Sequence, residues 1–134
     1  MQRFVLMSLV LICAGCSDTP SSPSRDSVDG EWRIISIQPG SQPPQTAPVG
    51  VQYQVTFEDG RASVRVDCNT CNGSFTLTGG RLTVGPALAC TRAACSTAAY
   101  ENAVVSLLSG EHQISVTLHN LTLTSSRGTM LLQR

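Results

Sequence analysis

Six cysteines are the residues with the widest chemical scope in this chain of 134 residues. Four of them, Cys68, Cys71, Cys90 and Cys95, have the spacing C-x2-C-x18-C-x4-C. That pattern is compatible with three chemistries: half of a zinc site, a redox-active dithiol at Cys68 and Cys71, or the ends of structural disulfides. A zinc ribbon closes with a second C-x2-C, and here the last pair is C-x4-C. A redox C-x-x-C sits at a helix N-terminus, where free N–H groups and the dipole lower the thiol pKa. "NTCNGS" has turn chemistry instead, and the residues after it read as a strand. Structural disulfides then remain as the favoured reading, with no metal and no cofactor expected.

The elements that must hold these cysteines read as hairpins. In a two-residue hairpin the register is fixed by the turn, so apolar residues must meet on one face. A turn at Asp59-Gly60 pairs Phe57 with Ala62, Val55 with Val64 and Tyr53 with Val66. A turn at Gly79-Gly80 pairs Leu77 with Leu82 and Phe75 with Val84. One at His119-Asn120 would pair Leu118 with Leu121 and Val116 with Leu123, and one near Arg127-Gly128 would bring Leu123 opposite Leu132. "GEWRIISIQ" supplies a first strand with Trp32, Ile34 or Ile35, and Ile37 inward. Residues 40–50, "GSQPPQTAPVG", read as a Pro-rich loop without strand or helix signal. In "STAAYENAVVSLLSG", Tyr100, Val104, Leu107 and Leu108 fall on one helical face, with Ser96 or Thr97 able to cap the start and Gly110 the end. The expected fold is mainly β (α+β): about eight antiparallel strands in a sheet or open barrel, with one helix before the last three strands.

Register also bears on the cysteines. Extending the Gly79-Gly80 hairpin places Cys71 near Leu88 and Cys68 near Thr91. This favours the nested pairing, Cys71–Cys90 and Cys68–Cys95. Closing loops of about 20 and 28 residues contributes roughly 3.3 to 3.6 kcal/mol, against about 2 kcal/mol for a local Cys68–Cys71 bridge. Pro86 interrupts the register, so the crossed pairing, Cys68–Cys90 and Cys71–Cys95, stays open.

The remaining cysteines lie in "MQRFVLMSLVLICAGC". Arg3, an apolar run from Phe4 to Ile12 and small residues Ala14 and Gly15 have the layout of an export signal. The run is shorter than the roughly 20 residues that span a bilayer. Its end resembles the bacterial lipobox, with Cys16 as the lipidated residue and Cys13 where that motif usually has Leu. Ser17, rather than Asp, comes next, which resembles outer-membrane sorting. The domain reading is therefore 1–15 signal peptide, 16–27 disordered tether and 28–134 globular domain. Export also favours disulfides over thiolate metal sites.

Other chemistry is sparse. Net formal charge is zero, with nine Arg and no Lys, so there is no basic footprint for nucleic acid. The chain has no G-x-S-x-G, P-loop or H-E-x-x-H motif. His112 and His119 read as solvated, Arg61 and Arg65 as the solvent face of a strand. Asp67, Glu101 and Glu111 have no partner that spacing can establish. Thr91, beside Arg92, reads as a buried turn residue satisfying backbone groups.

Taken in order, Phe57 and Gly60, Cys68-Asn69, Gly73 and Phe75, Leu82 and Gly85, and Thr91 to Cys95 resemble the META domain (HslJ-like) family of small bacterial envelope lipoproteins. Trp32, Glu101, Leu107 and "LTLTSSRGTMLL" extend the resemblance over roughly Gly30 to Arg134. In it Cys68 and Cys95 match family cysteines, Cys71 and Cys90 look like an added pair, and Asp67 stands where Gly is common. The resemblance implies a β-rich envelope domain linked with stress or antibiotic tolerance, and brings no active site. The expected protein is a non-enzymatic lipoprotein, anchored through Cys16 and facing the periplasm from the outer membrane. A protein or small-molecule partner is open, with residues 40–50 as the candidate loop. The alternatives are a periplasmic inhibitor or ligand-binding lipoprotein, and a thiol–disulfide oxidoreductase using Cys68 and Cys71.

Overall fold

The computed structural model describes residues 22–134. In chain order the elements are α1 (Arg25–Val28), β1 (Gly30–Pro39), β2 (Gln45–Thr46), β3 (Tyr53–Glu58), β4 (Arg61–Val66), β5 (Asn69–Thr78), β6 (Arg81–Val84) and β7 (Ala89–Cys90). They continue with α2 (Ala98–Leu108), β8 (Gly110–Val116), β9 (Asn120–Ser125) and β10 (Gly128–Gln133). Eight strands form an antiparallel sheet in the order β10-β9-β8-β6-β5-β4-β3-β1, and β1 pairs with β10 to close it into a barrel. Closure leaves neither end strand unpaired. Short β2 and β7 pair with β1 and β5 at the rim. The Pro-rich loop therefore does contain a strand, two residues long.

Alternation in the sequence builds the interior. β4 exposes Arg61, Ser63 and Arg65 and buries Ala62, Val64 and Val66. Trp32, Phe57, Leu82, Leu121, Leu123, Leu132 and their neighbours fill the barrel, each shielded from solvent. β1 resolves its own ambiguity with a bulge. Ile34 pairs with Leu132 and Ser36 with Leu131, so Ile35 is the extra residue. Trp32, Ile34 and Ile37 all point inward as a result. The Ile35 carbonyl accepts the Ala47 N–H at 3.1 Å, which ties the 40–50 segment to the rim. At the closing seam Gly128 has φ +142°, and a Cβ there would lie 2.1 Å from the Gln38 carbonyl oxygen. Only glycine lets β10 approach β1 this closely.

Strand direction sorts the connections into two ends. End A carries the turns 59–60, 79–80 and 118–119, and α1 lies against it. Val28 is fully buried, and its carbonyl accepts the Trp32 Nε1–H at 2.7 Å. End B carries the 40–52 loop, the turns at 67–68 and 126–127, and the 85–109 insertion with α2. Tyr100, Val104, Leu107 and Leu108 bury the inner face of α2, each contributing about 1.5–3 kcal/mol for the aliphatic positions. Tyr100 meets Tyr53 edge-on at 4.9 Å between ring centroids.

Four further expectations change. Residues 25–27, which the sequence reads as the end of the tether, join Val28 in a helical turn. The β8–β9 turn centres on Leu118-His119, so Val116 pairs with Leu121 and Ile114 with Leu123. The Thr117 hydroxyl accepts the Asn120 N–H at 3.0 Å and sets this turn. The β9–β10 turn likewise centres on Ser126-Arg127, and Leu123 faces Met130. The Ser125 hydroxyl accepts the Arg127 N–H at 3.2 Å there. Both shifts are two residues, which leaves each side chain on the same face.

His112 is the fourth change. It is 1% exposed, not solvated, and its Nε2–H donates to the Leu108 carbonyl at 2.8 Å. It closes the C-terminus of α2. Burial is the largest influence on the ring and pushes its pKa below the ordinary 6.5, with the Leu108 bond opposing. The unfolded chain then binds a proton that the folded chain resists. Stability should fall as pH drops below 6.5 towards the lowered folded value, by at most about 1.4 kcal/mol per pH unit. Urea midpoints measured from pH 7 to 5 should decline in the wild type and flatten in His112→Leu; equal slopes would contradict this role.

Candidate functional site

End B gathers most of the polar residues singled out by the sequence. Asp67 turns the chain from β4 into β5 with φ +55°. That left-handed conformation accounts for a position where glycine would also serve. Asn69, the first residue of β5, is 3% exposed and fully engaged. The two Nδ2 hydrogens are shared among three acceptors, the Ala93 carbonyl at 3.0 Å, Glu101 Oε1 at 2.9 Å and Cys95 Sγ at 3.2 Å. Its Oδ1 accepts the Thr91 hydroxyl at 2.9 Å and the Ala93 N–H at 2.8 Å. Thr91 Oγ1 in turn accepts the Thr70 N–H at 3.0 Å. Thr91 does satisfy backbone groups, but on the exposed side of the loop.

A second chain of bonds runs beside it. Tyr53 donates to Thr97 Oγ1 at 2.5 Å, and Thr97 donates to Asp67 Oδ2 at 2.5 Å. Thr97 thus spends its hydroxyl on Asp67 and makes no side-chain cap for α2. Burial first, then the Asp67 and Glu101 charges, raise the Tyr53 pKa above its ordinary value, against the Thr97 bond. Burial, then Tyr53, pushes Tyr100 up to about 12. Both remain neutral phenols at physiological pH, suited to donating hydrogen bonds and not to nucleophilic attack.

The structure pairs Cys68 with Cys95 and Cys71 with Cys90. Cys71 is fully buried opposite Cys90, while Cys68 is exposed. "NTCNGS" is strand rather than turn, held by β4 on one side and by β7, with the Cys71–Cys90 bridge, on the other. Cys68 and Cys71 are therefore not a dithiol, and neither offers a thiolate to a metal. Among the described residues no three His, Cys, Asp or Glu side chains converge on a metal-sized site. Cys16 and the signal segment lie outside the described residues.

Between residues 88–95 and the first turns of α2 lies an open groove of about 500 Å³. Leu88, Ala94, Ala98 and Val105 form its apolar walls, and Asn69, Arg92, Glu101 and Asn102 its polar ones. The 40–50 loop belongs to the same end of the barrel. Glu111, at the 84–110 side of the sheet, pairs instead with Arg81 on the exposed surface. His119 is exposed, as are Arg61 and Arg65. Asn69 is the residue whose weight the sequence did not reveal, since a lone Asn after Cys68 carries no partner signal.

The META domain profile matches residues 26–134. The chain belongs to the META domain family. Its barrel is similar to an NMR structure of a protein from Burkholderia xenovorans, at 21% identity and TM-score 0.68, covering 94% of this chain and 98% of that one. It is also similar to a lipocalin-like protein from Bacteroides uniformis, at 12% identity and TM-score 0.55, covering 81% and 98%. An uncharacterized protein from Bacteroides eggerthii matches at 14% identity and TM-score 0.55, covering 80% and 98%. No curated protein matches. At these identities the structures share the fold with this META barrel and nothing further.

Asn69 is the testable centre of the site. Asn69→Ala would leave the Ala93 N–H and the Glu101 carboxylate without their partner, at a cost of about 2–3 kcal/mol. Asn69→Asp would face Glu101 with a second carboxylate and should be no better. Urea unfolding with disulfides intact checks this; a loss under about 0.5 kcal/mol for Asn69→Ala would show the hub to be dispensable.

Proposed function

We propose that this META-domain chain is a non-enzymatic envelope lipoprotein, held by lipid at Cys16 and facing the periplasm from the outer membrane. Its barrel acts as a structural or binding module. The observation that carries the non-enzymatic reading is that the cysteines and most polar groups of end B are bonded to one another, with Glu101 Oε2 left without a partner. Each cysteine of the C-x-x-C is bonded to a distant cysteine, and Tyr53, Thr97, Asp67, Asn69 and Glu101 form hydrogen bonds among themselves. A preorganised polar network of this kind holds shape; it does not present a base to a nucleophile.

The ligand-binding alternative takes its support from the end B groove. The barrel interior is filled by Trp32, Phe57, Phe75, Met130 and the leucines, so a ligand would meet the outer surface and not the lumen. The groove and the 40–50 loop at the same end are the surface on offer. The link to stress or antibiotic tolerance that the family resemblance implies is part of the proposal; unchanged survival of a deletion strain under envelope stress would contradict it.

The anchor is tested by Cys16→Ser. The wild type should sediment with membranes and incorporate labelled fatty acid, and the variant should do neither. A variant that keeps the label and the membrane fraction would refute lipidation at Cys16.

A further inference from the structure

End A has a built tip that the network at end B does not touch. Leu118 stands at the centre of the β8–β9 turn and is 76% exposed. Ser22, Pro23, Ser24 and Ser27 line a shallow groove together with Val116 and Leu118. The tip and the point where the chain enters the domain are therefore neighbours.

Arg134 locks them into one body. Its Nε–H donates to the Leu118 carbonyl at 3.2 Å, and its two terminal nitrogens donate to the Asp29 and Ser27 carbonyls, each at 3.2 Å. The guanidinium also stacks over the Trp32 ring, 4.2 Å from its centroid. Three separate stretches of chain meet on one side chain whose planar fork suits several acceptors at once.

Length then decides orientation. Five residues lie between Cys16 and Ser22, so six residue steps give a covalent reach of about 20 Å at full extension. The ten residues of β5 extend about 33 Å; tilted by about 40° they stand about 25 Å tall. A chain fixed at Cys16 cannot pass the full height of the barrel, so end B cannot be turned to the surface that holds the lipid.

We propose that end A is a membrane-facing surface, with the Leu118 side chain seated in the lipid interface and end B pointing away into the periplasm. The partner is the bilayer itself: an apolar side chain at a firmly held tip inserts at the headgroup–acyl boundary, beside the covalent anchor. The proposal rests on lipidation at Cys16.

The test uses the full lipidated chain in vesicles of phosphatidylethanolamine and phosphatidylglycerol carrying brominated acyl chains. Leu118→Trp reports on end A. Val49→Trp, at the other large apolar residue exposed to solvent among the described residues, reports on end B. Wild type supplies the Trp32 baseline. Leu118→Trp should show a blue-shifted emission and quenching at least about threefold stronger than Val49→Trp. Protein that fails to float with the vesicles would refute the anchor, and the orientation with it. Protein that floats but is quenched equally at both positions, or more at Val49→Trp, would overturn the orientation and leave the anchor standing.

Discussion

Asn69 sets the shape of end B. One buried amide receives the Thr91 hydroxyl and the Ala93 N–H, and shares its two hydrogens among the Ala93 carbonyl, Cys95 Sγ and Glu101. The segment it grips is the connection from β6 to α2, which has almost no regular structure of its own. A free loop of that length would cost about 1–2 kcal/mol of backbone entropy per residue to order. The two disulfides remove part of that cost from the unfolded side, and Asn69 satisfies the backbone groups that a folded loop would otherwise bury unpaired. The placement of α2 over the barrel, and with it the groove, depends on this grip.

A closed barrel could enclose a ligand, and this one does not. Its interior is occupied by Trp32, Phe57, Phe75 and a layer of aliphatic side chains. α1 closes end A through Val28, and α2 closes end B through Tyr100, Val104, Leu107 and Leu108. The outside is left for recognition. The two ends differ in character: one gathers polar side chains, disulfides, a groove and the exposed Val49, the other the exposed Leu118 beside the incoming chain. The short reach of the chain that enters at end A is the physical basis for proposing a membrane side and a partner side.

Strand content, hairpin pairing around Asp59-Gly60 and Gly79-Gly80, and the buried face of α2 were legible because period and turn chemistry agree there. The last two hairpins show the limit of that signal. A shift of two residues keeps every apolar side chain inward, so alternation cannot choose between His119-Asn120 and Leu118-His119. Side-chain bonds from Thr117 and Ser125 made the choice. The same two-residue step moved Cys71 from beside Leu88 to opposite Cys90. Barrel closure was not legible, because the Ile35 bulge and the Gly128 approach depend on strands about a hundred residues apart in the chain. Nor was the site: Asn69 and His112 gain their roles from partners that only the fold brings near.

The central claim is that Asn69 makes the 91–97 segment as firm as the strands it joins. Native-state hydrogen exchange at the Ala93 amide, which donates to Asn69 Oδ1 at 2.8 Å, tests this directly. With both disulfides intact, the Ala93 amide should exchange as slowly as the core amides of β5 and open only with the whole domain. Exchange at the rate of an unprotected loop, while β5 stays protected, would contradict it.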